Sequence, residues 1–583
     1  MDSVAQPNRC KTAALILGVA LPPILLGYAM LQWTVDFPYW DDWAYLWGAF
    51  TYLEPDFDWK FIFAKRGNHV NASTKLLFYT VWKLAAGKLT FCFLLNYVLA
   101  WMVGGGLLLL LRRTLPRDGC AWLFYPLAAL FSFSLVQWPV FFSAWGSCWL
   151  LLPVFLRAGM LMTDTRLGLL GLTTALALFS AGAALTLTAG YALWVAFPFY
   201  LWLCGLLPKR PLSKAAWGCL ALWCSGAALC LVVIFSASKD YGAMEFLERD
   251  KESVVLMLTW CLENPHRAIG FLLSLLGASS SSVTTIIPGL NNDSAAVAMA
   301  IGNGAVSMVM LVLTLRYALR ERRDAALLKR LAPWLAIAVV ELVMAGLVTL
   351  GRAGGFTMYR ALSSHYGMIG LQFQFATYVA FYLIWREQRA GGQAIRFAVL
   401  PKSLFAGAML MVAAQLLGQV QLYRDIRGNA RQKRFARDAM HFVRILPSAS
   451  WPPPLRTVRM HRLDKFAAVG VLDLATSEEI EDALANAKDE TAESESKFEV
   501  SYVPHLLISG SFKNWLREDS PTLLVELRGA DNRRVLLPAR AAVGEYAWSY
   551  ICEESLAIYS YPGYRVGKVY LFVRSTQKLV RVH

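Results

Sequence analysis

Charge is what this chain has least of. Only 16% of its 583 residues are Asp, Glu, Lys or Arg, against 57% hydrophobic and a mean hydropathy of +0.44. A water-soluble globular protein does not keep that balance, so an integral membrane protein is expected. Histidine is sparse too: there are seven, scattered, with neither HExxH nor HxxxH spacing, which argues against a histidine-built metal centre. The ten cysteines make no CxxC pair. Cys92, Cys120, Cys148, Cys204, Cys219, Cys224 and Cys230 sit in apolar runs and read as small apolar fillers rather than a disulfide framework. Cys261 and Cys552 have no evident partner. There is no phosphate-cradling glycine loop, which speaks against an ATP-driven pump, and no repeat of solenoid period.

Long apolar runs are what the chain does have. Runs of about 17–25 residues fall near 12–31, 90–111, 120–136, 147–163, 167–183, 187–207, 214–236, 294–318, 331–350, 364–385 and 398–419. They predict roughly eleven spans. The first run lacks a small-residue cleavage site and reads as a retained helix, not a signal peptide. The formal net charge of +16 lies mostly in short clusters between runs, where it sets topology and makes no nucleic-acid domain. Arg9 and Lys11, Arg112 to Arg117, Lys209 to Lys214, Arg316 to Arg323, and Arg386 with Arg389 then share the cytoplasmic side. Loop 32–89 lies outside, with 137–146, 237–293, 351–363 and the C-terminal tail. The cations from Arg424 to Arg437 would also be outside, which long tails tolerate. Segment 266–286 is read as interfacial or re-entrant, with Ser279 to Ser282 as a flexible polar stretch. In the first loop, Leu76, Leu77, Phe78, Val81, Trp82 and Leu84 alternate with Lys75, Lys83 and Lys88 and predict an amphipathic helix on the membrane surface. Pro22-Pro23 and Gly104-Gly105-Gly106 read as kink and close-packing positions.

Beyond residue 420 the composition changes. A basic stretch over 422–445 leads through Pro452-Pro453-Pro454 and an acidic segment opened by Thr476-Ser477-Glu478-Glu479 to alternating runs at 522–527 and 569–573, which predict strands. The expected fold is a mainly α polytopic membrane domain, 1–420, with a small β-rich extracytoplasmic domain, 421–583.

One stretch carries chemistry. Phe37-Pro38-Tyr39-Trp40-Asp41-Asp42-Trp43 sets two acids among aromatics just past the first span, and carboxylates are costly near hydrocarbon. Its plainest role is to cap a helix starting at Trp43. Its functional role would be a general base for a sugar hydroxyl. At the end of the ninth span on the same side, Arg352 lies in Leu350-Gly351-Arg352-Ala353-Gly354-Gly355. A guanidinium beside glycines can grip a phosphate bidentately, although a snorkelling arginine fits as well. Arg360 and His365 begin the next span and could share that duty. Asn68 and His69, with Trp138 and Trp145 and the rings of Trp40 and Trp43, are candidate sugar contacts, against a bland interfacial belt. Asn71-Ala72-Ser73 and Asn292-Asp293-Ser294 match the short glycosylation pattern and carry no weight.

These residues resemble the GT-C superfamily of polytopic glycosyltransferases, and within it a group of uncharacterised bacterial members. The likeness covers roughly 1–420. It rests on the short N-terminus, first span and long loop opening with Trp40-Asp41-Asp42-Trp43, then on Gly67-Asn68-His69-Val70, Trp145-Gly146, Gly351-Arg352 and Ser364-His365-Tyr366. In the second motif the expected Glu and Arg are missing, and His365 stands where an Arg is expected. The resemblance implies an inverting transfer of a hexose or pentose from a polyprenyl-phosphate donor to a glycan, lipid or protein acceptor at the bacterial inner membrane, in cell-envelope polysaccharide biosynthesis. Asp42 or Asp41 would be the base and Arg352, His365 and Arg360 would hold the phosphate. No cofactor is required; an acidic pair could hold Mg²⁺ or Mn²⁺ if the donor carried a pyrophosphate. The rival classes are a lipid-glycan flippase, which should bury ionisable groups at mid-bilayer where Glu341 is nearly the only acid, an O-antigen polymerase or ligase, and a non-catalytic scaffold.

Overall fold

The computed structural model describes residues 9–38, 42–43, 45–46, 60–65, 69–115, 121–207, 213–237, 254–321, 324–354, 357–390, 399–442, 477–489, 497–501, 507–511, 522–528, 534–541, 547–551, 565–573 and 578–581. Asp41, Trp40, Asn68, Cys552 and the Pro452–Pro454 run lie outside these residues. The chain divides into two compact units, one of Met1–Thr34 with Trp47–Ile426, the other of Val35–Leu46 with Arg427–His583.

The first unit is a bundle of apolar helices. Ten helical stretches among the described residues are long and apolar enough to cross a bilayer, which makes this a polytopic membrane protein. Leu169–Ala184 and Thr188–Leu203, expected as full spans, are shorter than the others. Leu17, Leu178, Leu229 and Phe235 stand exposed on the outside of the bundle, as lipid-facing side chains do. The centre is the helix Gly367–Ala390, whose Met368, Ile369, Leu371, Phe373, Phe375 and Val379 are buried.

Contacts sort the helix ends into two sets. At one end Arg113 pairs with Asp164 at 2.6 Å and Arg330 with Glu387 at 3.0 Å. At the other, Ser73 N–H donates to Leu185 O at 3.1 Å, and Trp33 Nε1 donates to Tyr423 Oη at 3.0 Å. Gln419 there accepts from Leu135 N–H at 2.8 Å.

Segment Pro265–Thr285 meets the length and hydropathy of a span, yet both its ends lie at this second end. A Cβ on Gly270 would meet Met358 at 2.8 Å, just beyond helix Ala325–Arg352, and one on Gly418 would meet Ser282 Oγ at 2.1 Å. The segment dips in and returns. Its middle is held by Gln374 Nε2 donating to Leu276 O at 2.6 Å and by Gly277 and Gly304, where any Cβ would run into backbone, 1.9 Å from Ala300 O and 2.1 Å from Leu273 O respectively. The serine run expected to be a flexible polar stretch is instead packed helical turn. Ser279 and Ser280 are buried, and Ser279 Oγ donates to Gln374 Oε1 at 2.8 Å. Ser280 and Ser281 donate to the carbonyls of Gly277 at 3.1 Å and Ala278 at 2.8 Å, whereas Ser282 Oγ is buried without a hydrogen-bond partner.

Asn292 caps the following helix, accepting from Ala295 N–H at 2.8 Å. Asn292→Ala should cost about 1 kcal/mol, read as faster amide exchange confined to the first turn of Asp293–Arg320.

The first-loop helix forms over Ala72–Leu84 with Lys83 exposed as expected, but Lys75 does not lie on a water face. Lys75 is buried beside Phe78, Tyr79 and Trp82 and donates to Ala64 O at 2.8 Å, while Leu84 is exposed. The alternation of lysine and apolar residues hid this, because a long amine can reach a backbone carbonyl from a buried stem. Lys75→Met should preserve the helix packing, whereas Lys75→Ala should lower the melting temperature by opening a cavity beside Trp82.

In the second unit one sheet takes the eight strands Lys488–Asp489, Lys497–Ser501, Leu507–Ser511, Thr522–Arg528, Arg534–Ala541, Ala547–Ile551, Arg565–Val573 and Lys578–Arg581. Numbered β1 to β8 in that order, they lie side by side as β1-β8-β7-β4-β5-β6-β3-β2. All neighbours are antiparallel except β1 and β8. Leu524, Val525, Leu536, Leu537 and Val569 form its core, joined by Ile480 and Leu484 from helix Ser477–Ala485. Arg534 links helix and sheet, paired to Glu481 and 4.0 Å from the buried Glu526. The hydrogen bond to Glu481 holds its guanidinium above the usual range.

Candidate functional site

The connection between helices Ala325–Arg352 and Gly367–Ala390 carries three of the predicted site residues. Arg352 is the last residue of its helix, exposed, where a cation complements the carbonyl end of the dipole. The chain then makes two short 3₁₀ turns, Met358–Leu362 and Ser364–Tyr366, pinned by the buried Ala361. Between them opens a hollow of about 270 Å³ lined by Thr357, Tyr359, Arg360, Leu362, Ser363 and Ser364. Four hydroxyls and one guanidinium suit an anionic or polyhydroxylated ligand. Burial first, then the nearby charges of Asp293 and Asp425, push the Tyr359 phenol above its usual value. It therefore stays protonated and can donate.

His365 begins the second turn and lies against aromatic rings. Its ring centroid is 4.1 Å from that of Tyr366, 5.8 Å from Trp149 and 6.0 Å from Trp145. Two residues proposed from separate motifs, Trp145 and His365, thus meet. The Trp-Gly turn owes its shape to Gly146, where a Cβ would sit 1.7 Å from Val140 O. Asn96 Nδ2 fastens the same turn by donating to Val140 O at 3.0 Å and Ser143 O at 2.7 Å.

His69 is held at the same end of the bundle. Its Nδ1 lies 3.2 Å from Thr188 Oγ1 and accepts from Thr188 N–H at 3.4 Å. That bonding ties the first loop to the turn after Leu169–Ala184, beside Ser73 Oγ donating to Gly182 O at 3.0 Å.

Asp42 and Trp43 belong to the other unit. Trp43 is buried and meets Phe37 edge-on at 5.7 Å, with Tyr45 and Leu46 also buried. The Asp42 residue is 0% exposed, and Lys433, on the part of helix Val399–His441 that belongs to this unit, is 2% exposed. Sequence reading missed this lysine. The signal was there: Ala430, Lys433, Ala436 and Met440 recur every three or four residues and are all buried, which puts Lys433 on the apolar stripe and apart from the other cations of the basic stretch.

Two ionisable residues are buried inside the bundle. Arg157 and Glu341 are each 1% exposed. Arg157 Nη1 donates to Pro153 O at 2.9 Å and Nη2 to Gln372 Oε1, while Gly106 leaves room for its stem, a Cβ there meeting Arg157 Cδ at 2.9 Å. Among the described residues no group of three or more His, Cys, Asp and Glu stands together.

The chain is similar to an archaeal oligosaccharyltransferase. That protein is AglB from Archaeoglobus fulgidus, solved in complex with an inhibitory peptide and a dolichol-phosphate. The TM-score is 0.39 at 13% identity, over 80% of this chain and 60% of AglB, so the chain spans less than two thirds of that protein's length. No family model and no curated protein matches the sequence.

Proposed function

We propose that this protein is a GT-C-type membrane glycosyltransferase of the bacterial inner membrane, with its N-terminus cytoplasmic and its C-terminal domain extracytoplasmic. It would transfer a sugar from a polyprenyl-phosphate donor to an envelope glycan, lipid or protein. One observation supports the reading most: the connection 353–366 gathers a cation, four hydroxyls and a histidine backed by tryptophans at one end of an apolar bundle. Lipid-borne substrates reach such a rim from the bilayer, and sugar faces stack on such rings.

In the proposed reaction one of the adjacent carboxylates Asp41 and Asp42 takes the proton of the acceptor hydroxyl. The freed oxygen forms a bond to the anomeric carbon as the bond from that carbon to the phosphate oxygen breaks, and the lipid phosphate leaves with the electron pair. Arg360 and Arg352 face the charge that builds on that phosphate, with His365 assisting. Trp145 and His69 fix the turns that frame the sugar. Mg²⁺ or Mn²⁺ would be wanted only by a pyrophosphate donor.

Full-length protein in lipid nanodiscs, given a panel of synthetic polyprenyl-phosphate hexoses and pentoses with envelope extract as acceptor, should release free polyprenyl phosphate. The double variant Asp41→Asn with Asp42→Asn should lower that release by roughly 10²–10⁴-fold. Undiminished release from the double variant would remove the carboxylates from the chemistry.

A further inference from the structure

Just before the re-entrant segment the chain forms a short helix, Val254–Glu263, in the same unit as the hollow. Its outward side is apolar. Val255, Leu258 and Leu262 follow one another at helical spacing and are each at least half exposed, with Ile269 exposed across the elbow that follows. Such a face is costly in water, and a helix that carries one lies in the membrane interface. The opposite side presents Trp260 to the connection that holds the phosphate candidates. Gly354, two residues past Arg352, makes room for the indole, since a Cβ there would meet Trp260 Cδ2 at 3.1 Å. Asn264 fixes the elbow, its backbone N–H and its Nδ2 donating to Trp260 O at 2.9 and 3.0 Å. The chain then brings Arg267 back over the same ring, Cζ lying 5.5 Å from the centroid. One turn later Gly270 lies against Met358, two residues before Arg360. Arg267 is thereby set beside the connection 353–366 from a separate element.

A guanidinium stacked on an aromatic face carries five donors in one plane, enough for several oxygen partners at once, and its position is set before any ligand arrives. Lipid phosphates stand at the level of the interfacial tryptophans, with their chains directly below. We propose that Arg267 and Trp260, on a helix whose apolar face rests in the bilayer, form an entry site for the monophosphate of a long-chain lipid on its way to Arg352 and Arg360. That this lipid is the sugar donor rests on the glycosyltransferase reading; that it binds here does not.

The test is binding of synthetic polyprenyl monophosphate to the full-length protein, followed by native mass spectrometry, with the corresponding polyprenyl alcohol as the phosphate-free probe. Arg267→Ala and Arg267→Gln should each weaken phosphate binding by roughly 10–100-fold, the weight of charge-assisted hydrogen bonds. Arg267→Lys should recover part of the loss, and Trp260→Ala should weaken binding by a smaller factor. Alcohol binding should match the parent in every variant, which a misfolded protein could not achieve. The proposal is overturned by undiminished phosphate binding in Arg267→Ala and Arg267→Gln, by an equal loss of the alcohol, or by a parent that binds no polyprenyl phosphate. Competition identifies the source of the phosphate. Displacement by millimolar inorganic phosphate would mean a free-anion site, displacement by phosphatidylglycerol a general lipid anchor, and either would overturn an entry site for the donor. Binding that depends on Arg267 in a protein that releases nothing from any sugar donor would refute the glycosyltransferase reading and leave the lipid-phosphate site standing.

Discussion

Arg157→Ala is expected to cost about 3–5 kcal/mol of stability, through the cavity it opens and the charge-assisted hydrogen bonds it removes. The reason is local. Pro153 O and Gln372 Oε1 would lose the buried guanidinium that donates to them, and the space its stem fills beside Gly106 would empty. The combined R157M/E341M variant should come back to within about 1–2 kcal/mol of the parent, because well-packed apolar side chains of similar volume replace buried ionisable groups at little cost. Thermal unfolding in nanodiscs measures both. The same double variant separates two functional readings: retention of donor turnover fits a static tie between helices Ser147–Met162, Ala325–Arg352 and Gly367–Ala390, whereas loss of turnover in a stable protein would favour a transport path through the bundle.

Arg360→Ala should reduce polyprenyl-phosphate release by about 10²–10³-fold, the typical loss when one donor to developing charge is removed. The loss should fall mainly on kcat, because the leaving phosphate gains charge as the bond breaks. Arg360→Lys should restore only part of it, since an ammonium is a point charge and cannot grip two oxygens in the plane of a fork. Arg352→Ala should instead weaken apparent donor affinity, as expected for an exposed cation at a helix end. Unaltered kinetics in Arg360→Ala would take the hollow out of the phosphate's path.

The helical part of this fold was legible because hydrocarbon imposes a simple rule, about 20 apolar residues per crossing. The same rule overreaches at Pro265–Thr285, which is apolar enough to cross, and there the basic cluster from Arg316 to Arg323 was the better guide. The strands at 522–528 and 565–573 were legible from alternation and lie next to each other in the sheet. Side-chain partners were not legible. Arg157 sits in the run expected to span at 147–163, where apolar periodicity gave no sign of its bonds to Pro153 O and Gln372 Oε1. Lys75 and Lys433 looked like surface charge because lysine normally is, yet both are buried, Lys75 with Ala64 O as its acceptor. The hollow beside Arg360 depends on two tight turns that no periodicity announces.

The second unit draws residues 35–46 from near the start of the chain and residues 427–583 from its end. During synthesis Phe37, Trp43, Tyr45 and Leu46 therefore emerge long before the residues that bury them exist, and closing so long an interval is slow compared with local packing. A chain halted before residue 427 would present those four apolar side chains with nowhere to go, and quality-control proteases or chaperones would meet it in that form.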